Sequence, residues 1–299
     1  MRHRVVKGVG VWRGLCLGVL GFYGAEALGA APSGLEARLG ALASSIVNVE
    51  LTLRVEYGYG GSSSDDEATV EVRGSIVDSG GLILVSNLYL APQRMRQLAG
   101  SFGDGADEFR FDLKPTAIRV QLPGIAEEQP AFLAASDADL DLAFLHLEHV
   151  PQKPLPAVDF SKGRPARVGE EVMVVSRLLA NFDRAPFLFR GWVTGELKKP
   201  RRSWVVQLPP SGLGLPVFAV SDGVPLGVLA TIFSPVENTR DAGGWLSGFV
   251  EGSGDPARGP IGVFLIPGER VQAAVELARQ RARELLKERS VPRDPSPAP

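Results

Sequence analysis

The sequence predicts an all-β protein, with two antiparallel barrels or sandwiches in tandem followed by a C-terminal helix. Three observations lead there. Thirty-five Gly and 23 Pro in 299 residues are many for a helical protein and favour short strands joined by turns. Alternating apolar and polar runs recur along the chain, the signature of half-buried strands. Residues 151–165 hold four prolines and no apolar run, which divides the strands into two groups.

Taken in order, residues 45–55 (SIVNVELTLRV) alternate with period 2. Residues 57–67 (YGYGGSSSDDE) read as a hairpin loop. Residues 69–77 (TVEVRGSIV) alternate again, Asp78-Ser79-Gly80-Gly81 turns, and 82–85 resumes as a strand. Residues 116–122 and 140–147 are further strands, the second apolar enough to be buried on both faces. Beyond the Pro-rich stretch, strands are expected at 171–176, 187–194, 204–208, 217–220, 225–232 and 261–266. Only the end is helical: Val271, Ala274, Val275, Ala278, Ala282, Leu285 and Leu286 follow helical spacing, and Glu276, Arg279, Arg281, Arg283 and Glu284 fill the other side. That pattern describes a docked surface helix. Residues 291–299 (VPRDPSPAP) are expected to be a disordered tail.

The N-terminus reads as an address. Arg2, Arg4, Lys7 and Arg13 precede residues 14–25, a stretch without charge, and small residues follow at Ala25-Glu26-Ala27 and Leu28-Gly29-Ala30. A basic start, a short apolar core and an A-x-A-like exit describe a secretory signal peptide over residues 1–30. Twelve residues are too few to cross a hydrocarbon core, which needs ~20. The expected protein is therefore exported, periplasmic or secreted, with no membrane span in the mature chain. Cleavage after Ala30 takes the 32 basic and 34 acidic residues to 28 and 33, a net charge near −5. It also removes Cys16, the only cysteine, and leaves only His146 and His149 as histidines. This inventory excludes a disulfide scaffold, a Cys-based zinc site, an iron–sulfur centre and a cysteine nucleophile. No cofactor or metal is expected, and the charge balance argues against a nucleic-acid partner.

Several local patterns, in order, resemble those of HtrA/Deg-like, trypsin-fold serine proteases. Gly74-Ser75-Ile76-Val77 followed by residues 78–90 (DSGGLILVSNLYL) resembles the family's G-S-G strand, D-G turn and T-N-x-H-V ending. Residues 139–147 (DLDLAFLHL) look like its D-L-A-L-L-K segment, 167–175 (RVGEEVMVV) its V-G-E-x-V strand, and 191–195 (GWVTG) its G-I-V-S segment. Residues 215–227 (LPVFAVSDGVPLG) are similar to G-G-P-L-F-D-x-x-G-x-V-I-G, and 261–267 (IGVFLIP) to G-F-A-I-P. The likeness spans roughly residues 41–287. It implies two tandem antiparallel six-stranded β-barrels with a C-terminal α-helix. These comprise an N-terminal barrel over 41–150, a linker over 151–166, a C-terminal barrel over 167–267 and the helix over 268–290. No PDZ domain is expected after it.

The resemblance also locates the family's three catalytic positions. A serine-protease triad needs a hydroxyl nucleophile, an imidazole to take its proton and a carboxylate to hold the imidazole. On the T-N-x-H-V pattern, Leu88 stands where the His belongs; Asp141 falls on the carboxylate position; anchoring on Pro216-Val217-Phe218 puts Leu213 where the Ser belongs. An isobutyl group neither accepts a proton nor attacks a carbonyl. Loss of the activated nucleophile costs on the order of 10⁶ in kcat. A shifted register would offer Ser211 as nucleophile, but without a base: Tyr89 holds its proton to a pKa of ~10. His146 lies five residues past Asp141 on the same expected strand, roughly 16 Å away at ~3.3 Å per residue. Gly212, Gly214 and Leu215 are the remnant of the loop that would carry an oxyanion hole or line a peptide groove, with Ser211 and Leu215 in place of small residues. Asp141 itself is expected to be a strand-end aspartate with a hydrogen-bond donor or water beside it.

Other clusters carry less chemistry. His146 and His149 face opposite sides of a strand and do not chelate together. Asp65-Asp66-Glu67 lacks the ligand spacing of a calcium loop. Lys198-Lys199-Pro200-Arg201-Arg202, next to Trp204, is expected at a hairpin tip, either simply solvated or meeting an anionic partner. The function implied is a pseudoenzyme of the serine endopeptidase fold that binds a peptide or protein ligand. The alternatives are an active endopeptidase through Ser211, or an assembly role through the C-terminal helix.

Overall fold

The computed structural model describes residues 34–59, 62–91, 110–199, 201–233 and 261–290. The leader expected over 1–30 and the tail over 291–299 lie outside them. The described elements are α1 (Gly34–Ala43), β1 (Ile46–Tyr59), β2 (Ser62–Asp78), β3 (Leu82–Ser86), β4 (Arg110–Gln121), β5 (Gln129–Asp137), β6 (Leu142–Leu147), β7 (Glu171–Arg177), β8 (Pro186–Leu197), β9 (Ser203–Val206), β10 (Pro216–Ala219), β11 (Pro225–Phe233), β12 (Ile261–Pro267) and α2 (Gly268–Ser290).

Strands β1 to β6 close a barrel in the order β1-β2-β3-β6-β5-β4, and β7 to β12 close a second in the same order shifted by six. The closing pairs, β1 with β4 and β7 with β10, are antiparallel like the rest. Two six-stranded barrels and a C-terminal helix are thus the architecture, as the sequence led one to expect.

Three elements differ from expectation. Strand β5 was not anticipated: QPAFLAASD has no clean alternation, and its pairing with β6 shifts register between Leu133 and Ala135. It is nonetheless the sixth strand that joins β4 to β6. The hairpin loop expected at 57–67 is mostly strand, because β1 and β2 stay paired out to Tyr59 and Ser62. There β4 adds a third strand, paired with β1 down to Gly58 opposite Arg110, so backbone hydrogen bonds hold Ser and Asp residues that have poor strand propensity. Helix α1 is weakly patterned (GLEARLGALA) and is held from outside, by Arg38 donating to the carbonyls of Val220 and Ser221. The expected linker is also fastened: Val158 N–H donates to Ile76 O at 2.8 Å, and Phe160 is buried.

Apolar side chains form three clusters. One fills the first barrel (Val47, Val49, Ile83, Val85, Leu145) and one the second (Val174, Trp204, Val217, Leu229, Leu265). The third lies between them and collects Leu82, Leu84, Leu142 and Phe144 from the first barrel with Met173, Phe218, Val228 and Ile266 from the second. Alternate residues of β3 and β6 therefore enter different cores, and β6 is buried at every position, as its continuous apolar run suggested. Helix α2 caps the shared layer with Val271, Ala274, Val275, Ala278 and Ala282. Arg279 and Arg289 pin it to Asp78 at 2.6 Å and Glu148 at 3.1 Å of the first barrel. Its apolar stripe is covered by its own chain.

One cation serves as a joint. Arg177, at the end of β7, donates to the carbonyls of Ala43 (2.6 Å), Ile46 (2.7 Å) and Arg184 (3.2 Å). It thereby ties the C-terminus of α1 and the start of β1 to the second barrel. Desolvation by burial pushes its pKa below the ordinary arginine value. Replacing Arg177 with Met removes the donor and strands three carbonyls, each costing ~1–3 kcal/mol if left unmet. The expected result is a stability loss of about 2–4 kcal/mol in a denaturant titration, whereas an unchanged midpoint contradicts the joint.

Candidate functional site

At the junction of the barrels, three segments meet at Asp141 and a fourth packs on the neighbouring strand end at Ser86. The turn before β6 holds Asp141 fully buried with φ 57, a left-handed conformation uncommon for a non-glycine residue. Leu140 N–H donates to Asp137 Oδ1 at 2.9 Å and closes the preceding turn. Asp141 O accepts from Asn87 N–H at 3.0 Å. Asn87 opens the 3₁₀ turn Asn87–Tyr89, so Leu88 is the next residue along. On the other side Asp141 Oδ2 accepts from the Thr231 hydroxyl at 2.5 Å and the Thr231 N–H at 3.3 Å. Thr231 belongs to β11, so this carboxylate bonds one barrel to the other. The donor expected beside Asp141 is present.

The fourth segment is the 3₁₀ turn Pro210–Gly212 with Leu213 to Leu215 after it. Gly214 has φ 79, and a Cβ built on it would lie 2.2 Å from Ser86 N, two residues before Leu88. Only a residue without a side chain approaches another backbone so closely. Leu88, Asp141 and Leu213 thus each lie within one residue of a direct contact joining these segments. Leu88 and Leu213 are half-buried, and Leu213 packs on the core of the second barrel. Ser211 is exposed.

The backbone of this loop is turned inward. Gly212 N–H donates to Pro209 O (3.1 Å), Leu213 N–H to Pro210 O (3.0 Å), Gly214 N–H to Leu229 O (2.7 Å) and Leu215 N–H to Gly212 O (3.0 Å). Pro209 and Pro210 have no N–H to offer. An oxyanion hole requires a pair of N–H donors aimed at the reacting oxygen, and residues 209–215 leave at most the one on Ser211. Gly212, Gly214 and Leu215, read from sequence as a groove or oxyanion remnant, are buried here. A Cβ on Gly212 would meet Leu229 and Val174 at 3.1 and 3.3 Å.

Neither described histidine approaches Asp141. His146 sits near the opposite end of β6, buried, with Nδ1 2.7 Å from Leu147 O and its ring 5.7 Å from that of Phe132. His149 is exposed beyond the strand. Among the described residues, no group of His, Cys, Asp or Glu is placed to hold a metal ion.

Comparison with known proteins follows the topology. No family model matches the chain, and no curated protein matches it. Among solved structures it is similar to the MamO protease domain from Magnetospirillum magneticum (apo form), at 16% identity and a TM-score of 0.46, over 78% of this chain and 97% of that one. It is also similar to the HtrA-type protease AlgW with tripeptide, at 16% identity and a TM-score of 0.46, over 80% of this chain and 61% of that one. The two closed six-stranded antiparallel barrels stand on the strand order of this chain itself. At these identities the likeness concerns the fold.

Thr231 is the residue that the sequence reading missed. Its signal was a lone hydroxyl inside an apolar run, LGVLATIF, where burial demands a partner. Thr231→Val should destabilise the protein by about 1–3 kcal/mol, because it removes the hydroxyl donor from a buried carboxylate. Thr231→Ser, which keeps the hydroxyl, should recover most of that in the same melt. Gly214→Ala should cost at least as much, since the new methyl meets Ser86 N and φ is unsuited to alanine.

Proposed function

We propose that this chain is an exported, trypsin-fold protein that does not hydrolyse peptide bonds and acts by binding a peptide or protein. The observation that carries the proposal is the state of the loop 209–215, where the N–H groups of Gly212, Leu213, Gly214 and Leu215 are satisfied by its own carbonyls and by Leu229. Transition-state stabilisation of acyl transfer needs those donors free and preorganised. Leucine at 88 and 213 supports the same conclusion, since these are the positions where the family resemblance places a base and a nucleophile. Asp141 then serves as an inter-barrel strut through Thr231 rather than as an orienter of imidazole. Export rests on the basic and apolar N-terminal pattern.

The test has two arms. A fluorophosphonate probe should label nothing on the purified chain, and a Ser211→Ala variant should behave identically; labelling that disappears in Ser211→Ala would establish an activated serine and end the proposal. Installing the pair Leu88→His and Leu213→Ser should still leave casein turnover at background, because the oxyanion donors remain bonded inward. For binding, extended peptides should show saturable fluorescence polarisation with the parent, weakened at least several-fold by Leu88→Asp or Leu213→Asp. Peptides that bind parent and both variants equally would remove the junction as the binding surface.

A further inference from the structure

The hairpin joining β8 to β9 carries four cations in five residues, Lys198, Lys199, Arg201 and Arg202. Lys198 and Lys199 are exposed. Among the described residues only Arg202 of the four has an ion pair, with Glu196 at 2.9 Å, and its guanidinium also lies 5.1 Å from the Trp204 ring centre. The tip is therefore locally cationic on a chain whose formal net charge is −2. Lys198, Lys199 and Arg202 are all exposed at the end of this hairpin, which suits an extended anionic surface better than a single enclosed anion.

A second observation selects the kind of surface. Along β8 the exposed positions alternate as Arg190, Trp192, Thr194 and Glu196, a solvent-facing row that leads to Lys198. Trp192 is 49% exposed although it is among the costliest side chains to leave in water. The turn bearing Val168, 60% exposed, is bonded to the neighbouring strand residue through Gly169 N–H to Val193 O at 2.7 Å. An exposed Trp on the strand that leads into a cluster of lysine and arginine, with an exposed Val on the neighbouring turn, is the chemistry of a lipid headgroup interface. A soluble acidic peptide would use the cations and leave the indole without a role.

We propose that the outer face of β8 and its basic hairpin tip form a docking surface for an anionic lipid bilayer, with the Lys198–Arg202 cluster on the headgroups and Trp192 at the interface. The acidic remainder of the chain is repelled by the same surface, which fixes the orientation of the docked molecule. Each cation near such a surface contributes roughly a five-fold gain in partitioning.

Sedimentation of the full-length chain with vesicles of phosphatidylglycerol and, separately, of phosphatidylcholine tests this. Parent and variants share residues 1–30, so any contribution from that segment cancels in the comparison. The parent should favour phosphatidylglycerol over phosphatidylcholine, and the preference should fall as salt is raised. Lys198→Gln with Lys199→Gln should lower phosphatidylglycerol binding about thirty-fold with an unchanged melting temperature, since both side chains are exposed. Trp192→Ala should weaken binding while keeping the salt dependence, and its emission in the parent should shift to the blue on vesicles. Equal affinity for the two lipids, or full phosphatidylglycerol binding by the double lysine variant, would overturn the proposal. Binding to soluble polyglutamate without binding to phosphatidylglycerol would also overturn it, and would make the partner an acidic polypeptide.

Discussion

The apolar layer shared by the two barrels governs the arrangement of everything else. A closed barrel buries only its inner face and needs nothing outside it. Here β3 and β6 of the first barrel and β7, β10, β11 and β12 of the second also bury residues on their outer faces, and those faces meet. Leu142 and Phe144 are fully or almost fully buried on one side of β6, while Ala143, Leu145 and Leu147 are buried on the other. Fully burying a Leu or Phe side chain contributes ~1.5–3 kcal/mol, and this layer contains many of them. Helix α2 and Phe160 of the connector seal its open end. The barrels are consequently one packed unit, and polar groups at their junction are held at fixed separations.

That rigidity is what permits a buried carboxylate with left-handed backbone at residue 141. Such a conformation costs of order 1–3 kcal/mol and persists only where its surroundings over-determine it. Asp141 is constrained three ways: by the β6 ladder that begins at Leu142 opposite Ser86, by Asn87 N–H on its carbonyl, and by Thr231 on its carboxylate. Two of these partners are in the first barrel and one is in the second. The aspartate thus reports the packing of both barrels, and its hydrogen bonds repay part of the burial of a charged group.

Much of the fold was legible because local pattern and tertiary environment agree. Residues 45–55 alternate and lie in a strand with one face in the barrel; 140–147 does not alternate and is buried on both faces. Strand β5 was illegible for the converse reason: its alanines pack well but carry no periodic contrast, and a register shift interrupts the little alternation present. Helix α1 was illegible because its order comes from partners distant in sequence: its own Arg38 donates to the carbonyl of Val220, and Arg177 donates to the carbonyl of Ala43 at its C-terminus. At the site, residue type was legible and geometry was not. The leucines at 88 and 213 are visible in the letters, whereas the inward turn of four N–H groups depends on Leu229 and on a 3₁₀ turn set by Pro209-Pro210. No local pattern marks Thr231 as the partner of Asp141, 90 residues away.

The inward loop and the two leucines reinforce each other physically. An oxyanion loop holds N–H groups unpaired until substrate arrives, and each buried unpaired donor costs ~1–3 kcal/mol. A loop whose N–H groups bond to its own carbonyls and to Leu229 avoids that cost. Closing it brings Leu213 onto the second barrel's core, where a serine hydroxyl would lack a partner and an isobutyl group does not need one. Gly214 then meets Ser86 and draws the two barrels together. Each change lowers the cost of the others, and reversing any single one leaves a buried donor, a buried hydroxyl or a void. On the proposed reading, the site is therefore held in its present form by the same packing that joins the barrels.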